Sequence, residues 1–216
     1  MILSVLPARR YSAGRPANPA KAVAALTPAI PERFVRALDC FEAVLDAVPA
    51  DRWFSPSPCE GWSAIDVAGH VTAGLIVVEL RAAGRPLPQD DPDWREVAGG
   101  DPVASWRATR ARMAAALTPE ALARRILLGF GQRVALSEWL DGYPQELLVH
   151  SWDLAEATGQ RVVFDPDLAR HALEKARSLA SRGREAGFVG PERGVPDGAD
   201  DQARLLALYG RTPLSG

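Results

Sequence analysis

The strongest constraint on this chain is a helical period that returns between proline and glycine stops. Phe34, Leu38, Phe41, Leu45 and Val48 recur at spacings of 4, 3, 4 and 3, one apolar face of a helix. Pro31 suits its first position and Pro49 ends it. A second helix is predicted over about 64–83, with Ser63 as N-cap, Asp66 as the acid of a variant capping box and Gly84 as the stop. An Ala- and Arg-rich helix is predicted over about 103–117, and Thr118 caps a further short turn, "PEALARRI". Ser137 opens "SEWLDG", and Pro144 opens a helix that runs to about Thr158, with Gly159 just past its end. A last long helix starts at Asp165, Pro166 and Asp167 and reaches about Arg182. The tail from Gly183 is rich in glycine and proline, broken by one apolar helical turn, "DDQARLLALYG".

Between these blocks, residues 85–102 read as a long loop, either a crossover or part of a site mouth. Residues 127–136, "LLGFGQRVAL", read as a short extended piece or a connector. No stretch alternates like a strand of any length and no repeat is visible. Long helices separated by loops predict an all-α fold, a four-helix bundle with long connections and an irregular C-terminal tail.

The totals set the class. At 216 residues, with 47% hydrophobic and 24% charged, the chain reads as one soluble globular domain with an extension. The net charge of -2 gives no general attraction for nucleic acid or an anionic membrane. Arg107, Arg110 and Arg112 then read as a solvated helix face. Two cysteines, Cys40 and Cys59, make no disulfide framework, and no secretory apolar segment is present. The expectation is a cytoplasmic protein with reduced thiols and no membrane span. Residues 1–28 carry Arg9, Arg10 and Lys21, and no acid precedes Glu32. They are expected to be a loosely ordered extension, with the bundle and its tail over 29–216.

Chemistry concentrates in "YPQELLVHSWDLAEATG", residues 143–159. The chain has three histidines, His70, His150 and His171, and one of them sits four residues after Glu146. On a helix that spacing puts Glu146 and His150 on one face. Bundles build metal sites from such pairs, facing a ligand on another helix. His70, on the second predicted helix, is the candidate third ligand. Taken alone, the pair is more often an ordinary local contact on a helix, and a lone histidine on an apolar face is usually a satisfied core residue. His171, beside Arg170, Glu174 and Lys175, reads as a surface histidine.

Two blocks resemble a known family. "SPCEGWSAIDVAGHVTAGL" is similar to the opening signature of the mycothiol-dependent maleylpyruvate isomerase N-terminal family, part of the DinB-like superfamily of metal-binding four-helix bundles. The matching positions are Pro58, Cys59, Gly61, Trp62 and His70. "QELLVHSWDLAEATGQ" resembles its second signature, at Glu146, His150, Trp152, Asp153, Leu154, Ala155, Ala157, Thr158 and Gly159. The tail "VPDGADDQARLLALYGRTP" is similar to the end of short members, so the likeness spans about residues 31–213. The full isomerase of this family carries a second domain after the bundle, and here about thirty residues follow the last long helix.

The resemblance implies a divalent metal held by His70, Glu146 and His150, usually Zn²⁺, with Ni²⁺ or Fe²⁺ as alternatives. It implies Asp153 behind a ligand histidine, with helix-surface or loop anchoring as the other reading. It also implies a small-molecule substrate with mycothiol or a similar thiol as co-substrate. Trp152 is expected in the core, Trp62 as a pin for its loop, and Cys59 as a packed small residue; no residue is assigned a direct catalytic role. Three activities follow as expectations: a metal-dependent thiol transferase or isomerase, a metal-dependent hydrolase or lyase activating water, or a silent metal-binding bundle. No nucleic-acid or membrane partner is expected, and the chain would act as a monomer or homodimer.

Overall fold

Helix starts in this chain are written in aspartate and threonine. Asp93, Asp101, Thr118, Asp165 and Asp200 each turn a side-chain oxygen onto backbone N–H groups of the helix that follows. These donors have no partner inside their own helix, so each cap satisfies groups that folding would otherwise strand. The computed structural model describes residues 29–128, 131–187 and 189–212; the extension expected over 1–28 lies outside the described residues.

In chain order the helices are α1 (Glu32–Asp46), α2 (Ala64–Ala82), α3 (Trp94–Ala98), α4 (Pro102–Ala116), α5 (Pro119–Ala123), α6 (Leu136–Asp141), α7 (Pro144–Thr158), α8 (Pro166–Glu185) and α9 (Asp201–Leu208). The all-α expectation holds. The bundle is formed by α1, α2, α4 and α7, while α8 packs on the outside against α7 and α9 packs on α8. The core lies between these helices, on the fully buried Phe34, Phe41, Leu75, Trp106, Leu147, Leu148 and Leu154. Trp106 satisfies its indole N–H on Glu42 at 3.0 Å, the condition for burying so large a polar-tipped ring.

Boundaries fall close to the periodic pattern. Pro31 is the N-cap of α1 rather than its first residue, because its ψ of 128° is extended. Gly84 (φ 67°) and Gly159 (φ 73°) end α2 and α7 in the left-handed region, where a side chain is disfavoured. Trp152 is buried in the core, as expected.

One segment departs from the sequence reading, and for another the extended reading holds. Residues 85–102 are not loop throughout: α3 forms within them and packs against α2. Gly69 permits this contact, since a Cβ there would stand 1.8 Å from the carbonyl oxygen of Trp94. The 127–136 connector is half of an antiparallel hairpin, β1 (Arg125–Leu127) paired with β2 (Arg133–Ala135), with Ile126 opposite Val134. His171 is not a solvated surface residue. Its side chain is 11% exposed, and its Nε2 donates to the Asp141 carbonyl at 2.7 Å, tying α8 to α6.

Candidate metal centre

α2 and α7 pack against each other in the bundle, and each brings a histidine to a shared cluster. Most residues of α2 are apolar and buried, so His70 is carried on a largely buried rod. Ser63 donates its backbone N–H to the Asp66 carboxylate at 2.8 Å, which fixes where that helix begins, two turns before His70. α7 begins at Pro144 and places Glu146 in its first turn and His150 one turn later.

The three side chains meet at one point. Glu146 Oε1 lies 3.2 Å from His70 Nε2 and 3.3 Å from His150 Nε2. One ligand atom from each lies within 4.8 Å of the others. Glu146 is 33% exposed, His70 27% and His150 12%, so the cluster is partly open to solvent rather than sealed in the core.

The two histidines are held by different forces. His150 Nδ1 donates to Asp153 Oδ2 at 3.0 Å. That bond commits Nδ1 and leaves Nε2 facing Glu146. His70 Nδ1 is buried and makes no hydrogen bond among the described residues, so no such bond orients its ring. Aromatic rings do it instead: Trp62 lies 4.9 Å from His70 between centroids and Trp94 lies 5.0 Å away, edge-on. Trp62 also stacks near His150 at 6.2 Å. Trp62 is thus more than a pin for its loop, because it forms a wall of the cluster.

A histidine whose two ring nitrogens both face carboxylate oxygens favours carrying two protons. Burial opposes that charge, but bonds to Asp153, Cys59 and Glu146 outweigh it and hold the His150 pKa well above its ordinary value. Burial would likewise raise Glu146, yet His150 and His70 hold its carboxyl well below the usual range. The site is therefore an anion flanked by two imidazoles, the arrangement a divalent cation would enter by replacing protons. The donor set, two nitrogens and one carboxylate oxygen, matches what Zn²⁺ and its neighbours accept, with a coordination position left for another molecule. The residues present fit the ion.

Behind the cluster lies a second set that the sequence reading did not assemble. Asp153 is fully buried and accepts from Arg211 Nε at 2.9 Å and Nη2 at 2.6 Å. Cys59 Sγ lies 3.2 Å from Asp153 Oδ2 and 3.1 Å from Arg211 Nη2, so it is no mere packed small residue. Burial pushes the Asp153 carboxyl up, but His150 and Arg211 bring it down to about 2. Cys59, His150 and Asp153 also lie within 4.8 Å of one another, but the Arg211 guanidinium occupies that side with a fixed positive charge, which opposes a metal there. Trp94 and Arg211 escaped the sequence reading. The capping pattern Asp93-x-x-Glu96 was a signal for α3 and hence for Trp94; no spacing rule points to Arg211.

Comparison with known proteins bears on this geometry. The family described as Mycothiol maleylpyruvate isomerase N-terminal domain matches residues 34–155, more than half of the chain and all three clustered side chains. The chain belongs to this family. An uncharacterized protein of Mycobacterium tuberculosis is 32% identical over 180 residues, covering 82% of this chain and 94% of that one. Another uncharacterized protein of the same species is 27% identical over 170 residues, covering 70% of this chain and 63% of its own length. Among solved structures, the mycothiol-dependent maleylpyruvate isomerase superposes with a TM-score of 0.53 at 20% identity, covering 74% of this chain and 73% of the other. That likeness establishes the shared fold. This member of the mycothiol maleylpyruvate isomerase N-terminal family also has no helix, among the described residues, long and apolar enough to cross a membrane.

Proposed function

We propose that this protein is a metal-dependent enzyme of thiol chemistry, an isomerase or transferase in which mycothiol or a similar low-molecular-weight thiol acts on an electrophilic small molecule. The observation that carries the reading is the convergence of His70 Nε2 and His150 Nε2 on Glu146 Oε1 at 3.2 and 3.3 Å. Family membership supports it, since the family is described by a mycothiol-dependent isomerase.

His70, Glu146 and His150 would hold the ion, with zinc favoured for a two-imidazole, one-carboxylate set. When bound, such an ion lowers the pKa of a coordinated thiol and so supplies a nucleophile near neutral pH. The chain's own residues do the rest. Asp153 keeps His150 pointed at the centre through Nδ1. Trp62 and Trp94 wall the His70 side and limit water there. The partly exposed Glu146 marks the side from which thiol and substrate reach the site.

Elemental analysis of purified protein, followed by turnover assays with and without added thiol, tests the reading. One equivalent of metal, lost in His150→Ala together with thiol-dependent turnover, is the expected result. Protein that takes up no stoichiometric metal overturns it. Metal with thiol-independent turnover would turn the assignment toward a hydrolase or lyase.

A further inference from the structure

We infer that Arg211, in the C-terminal tail, is a positioning residue for the metal centre and acts on His150 through Asp153. The inference rests on the metal-binding reading above and extends it to a residue outside the matched family region, which ends at residue 155.

The argument begins with the buried carboxylate. Asp153 has two oxygens and no exposed surface. A carboxylate with one hydrogen-bonded oxygen can still turn about its terminal torsion, and His150 would turn with it. Arg211 removes that freedom. Its Nε binds Oδ1 and its Nη2 binds Oδ2, a two-pronged fork in a fixed plane. The Nη2 group also reaches Cys59 Sγ, and Nη1 donates to the Tyr209 carbonyl at 2.9 Å. Gly210, at φ 79°, turns the chain after α9 so that residue 211 can point back into the bundle.

With the carboxylate plane fixed, Oδ2 presents one direction to His150 Nδ1, and Nε2 is aimed at Glu146 as a result. The same guanidinium compensates the charge that makes Asp153 tolerable at full burial. The tail therefore completes the site without touching the proposed ligands. Cys59 binds the same carboxylate from the loop that carries Trp62, so Asp153 joins the tail, that loop and the metal-binding helix.

The test measures Zn²⁺ and Co²⁺ affinity of the full chain by calorimetry and by the Co²⁺ absorption spectrum. Arg211→Met is expected to weaken binding by roughly 10–100-fold, the usual cost of losing a group behind a ligand. Arg211→Lys keeps the charge but not the fork, and is expected to recover only part of the loss. Arg184→Met is the control: Arg184 donates to the Leu208 carbonyl at 2.8 Å and anchors the same tail without meeting Asp153. Its affinity is expected to stay within about twofold of the wild type, as for a residue with no link to the ligands. Unchanged binding in Arg211→Met, or an equal loss in Arg184→Met, overturns the inference alone. Should Arg211→Met fail to fold, unchanged binding in Arg211→Lys overturns it as well. Absence of metal binding by the wild type overturns the metal reading and this one with it.

Discussion

Gly69 and Trp94 meet backbone to backbone, with room for nothing larger than hydrogen: a Cβ on Gly69 would lie 1.8 Å from the Trp94 carbonyl oxygen and 2.6 Å from its carbonyl carbon. The obstacle is backbone, so no rotamer change relieves it. Gly69→Ala is therefore expected to push α3 off α2 and to cost about 1–3 kcal/mol, as overpacking does. Because Trp94 stands edge-on to His70, the displaced helix also opens that wall. Chemical denaturation reads the first effect and Trp fluorescence the second. A variant with unchanged stability and emission would show that α3 does not need this close approach.

Two of the six tryptophans border the proposed metal site, Trp62 at 4.9 Å and Trp94 at 5.0 Å from the His70 ring. Ni²⁺ or Co²⁺ in the cluster would quench both. Titrating either ion is expected to lower the total emission, and the double variant Trp62→Phe and Trp94→Phe is expected to lose most of that quench. Equal quenching in the double variant would place the bound ion elsewhere.

Glu42 gives a prediction about acid stability. Burial pushes its carboxyl upward, but the Trp106 indole and the Arg110 and Arg107 guanidiniums outweigh burial and hold it below its ordinary value. A carboxyl with a lowered folded pKa adds stability that is fully present above its unfolded pKa and is lost as pH falls through the folded one. Glu42→Gln is expected to cost about 1–3 kcal/mol near pH 7. Its difference from wild type should shrink as pH falls below 4.5, the ordinary value for the group. Urea midpoints at pH 7 and in steps below pH 5 check this; a pH-independent difference would mean that the loss is packing rather than charge.

How much of this could be read from the chain follows from range. α1 and α2 were legible because helical periodicity is local, and α7 because Pro144 and Gly159 mark both its ends. α3 was obscured: five residues between proline- and glycine-rich stretches offer too little period, and only the Asp93 cap betrays it. β1 and β2 have three residues each, too few to alternate. In the site, Glu146 and His150 share a face by spacing alone. Their meeting with His70, 76 residues from Glu146, is a tertiary fact: the helix pattern offered His70 as a candidate, and the family resemblance strengthened it. Arg211 and Asp153 are 58 residues apart, and no local rule links them. Likewise His171 looked solvated beside its charged neighbours, but its partner, Asp141, lies 30 residues away on α6.

The last prediction separates two ways of holding the helix that carries His70. Asp66 accepts the Ser63 N–H at 2.8 Å, a bond that caps α2, and it also accepts Arg95 Nε at 3.0 Å, a bond that ties α2 to α3. The magnitudes differ. Arg95 is 57% exposed, and an ion pair that open to water contributes little, because solvent screens it. The cap is buried, and removing its acceptor strands the Ser63 donor at a cost of about 1–3 kcal/mol. Asp66→Ala should therefore destabilise the protein more than Arg95→Ala does. A double-mutant cycle on unfolding free energies measures the coupling between them. If Arg95→Ala costs as much as Asp66→Ala, the tie to α3 rather than the cap holds this end of the helix. The wall formed by Trp94 would then depend on a surface charge pair and loosen as salt is added.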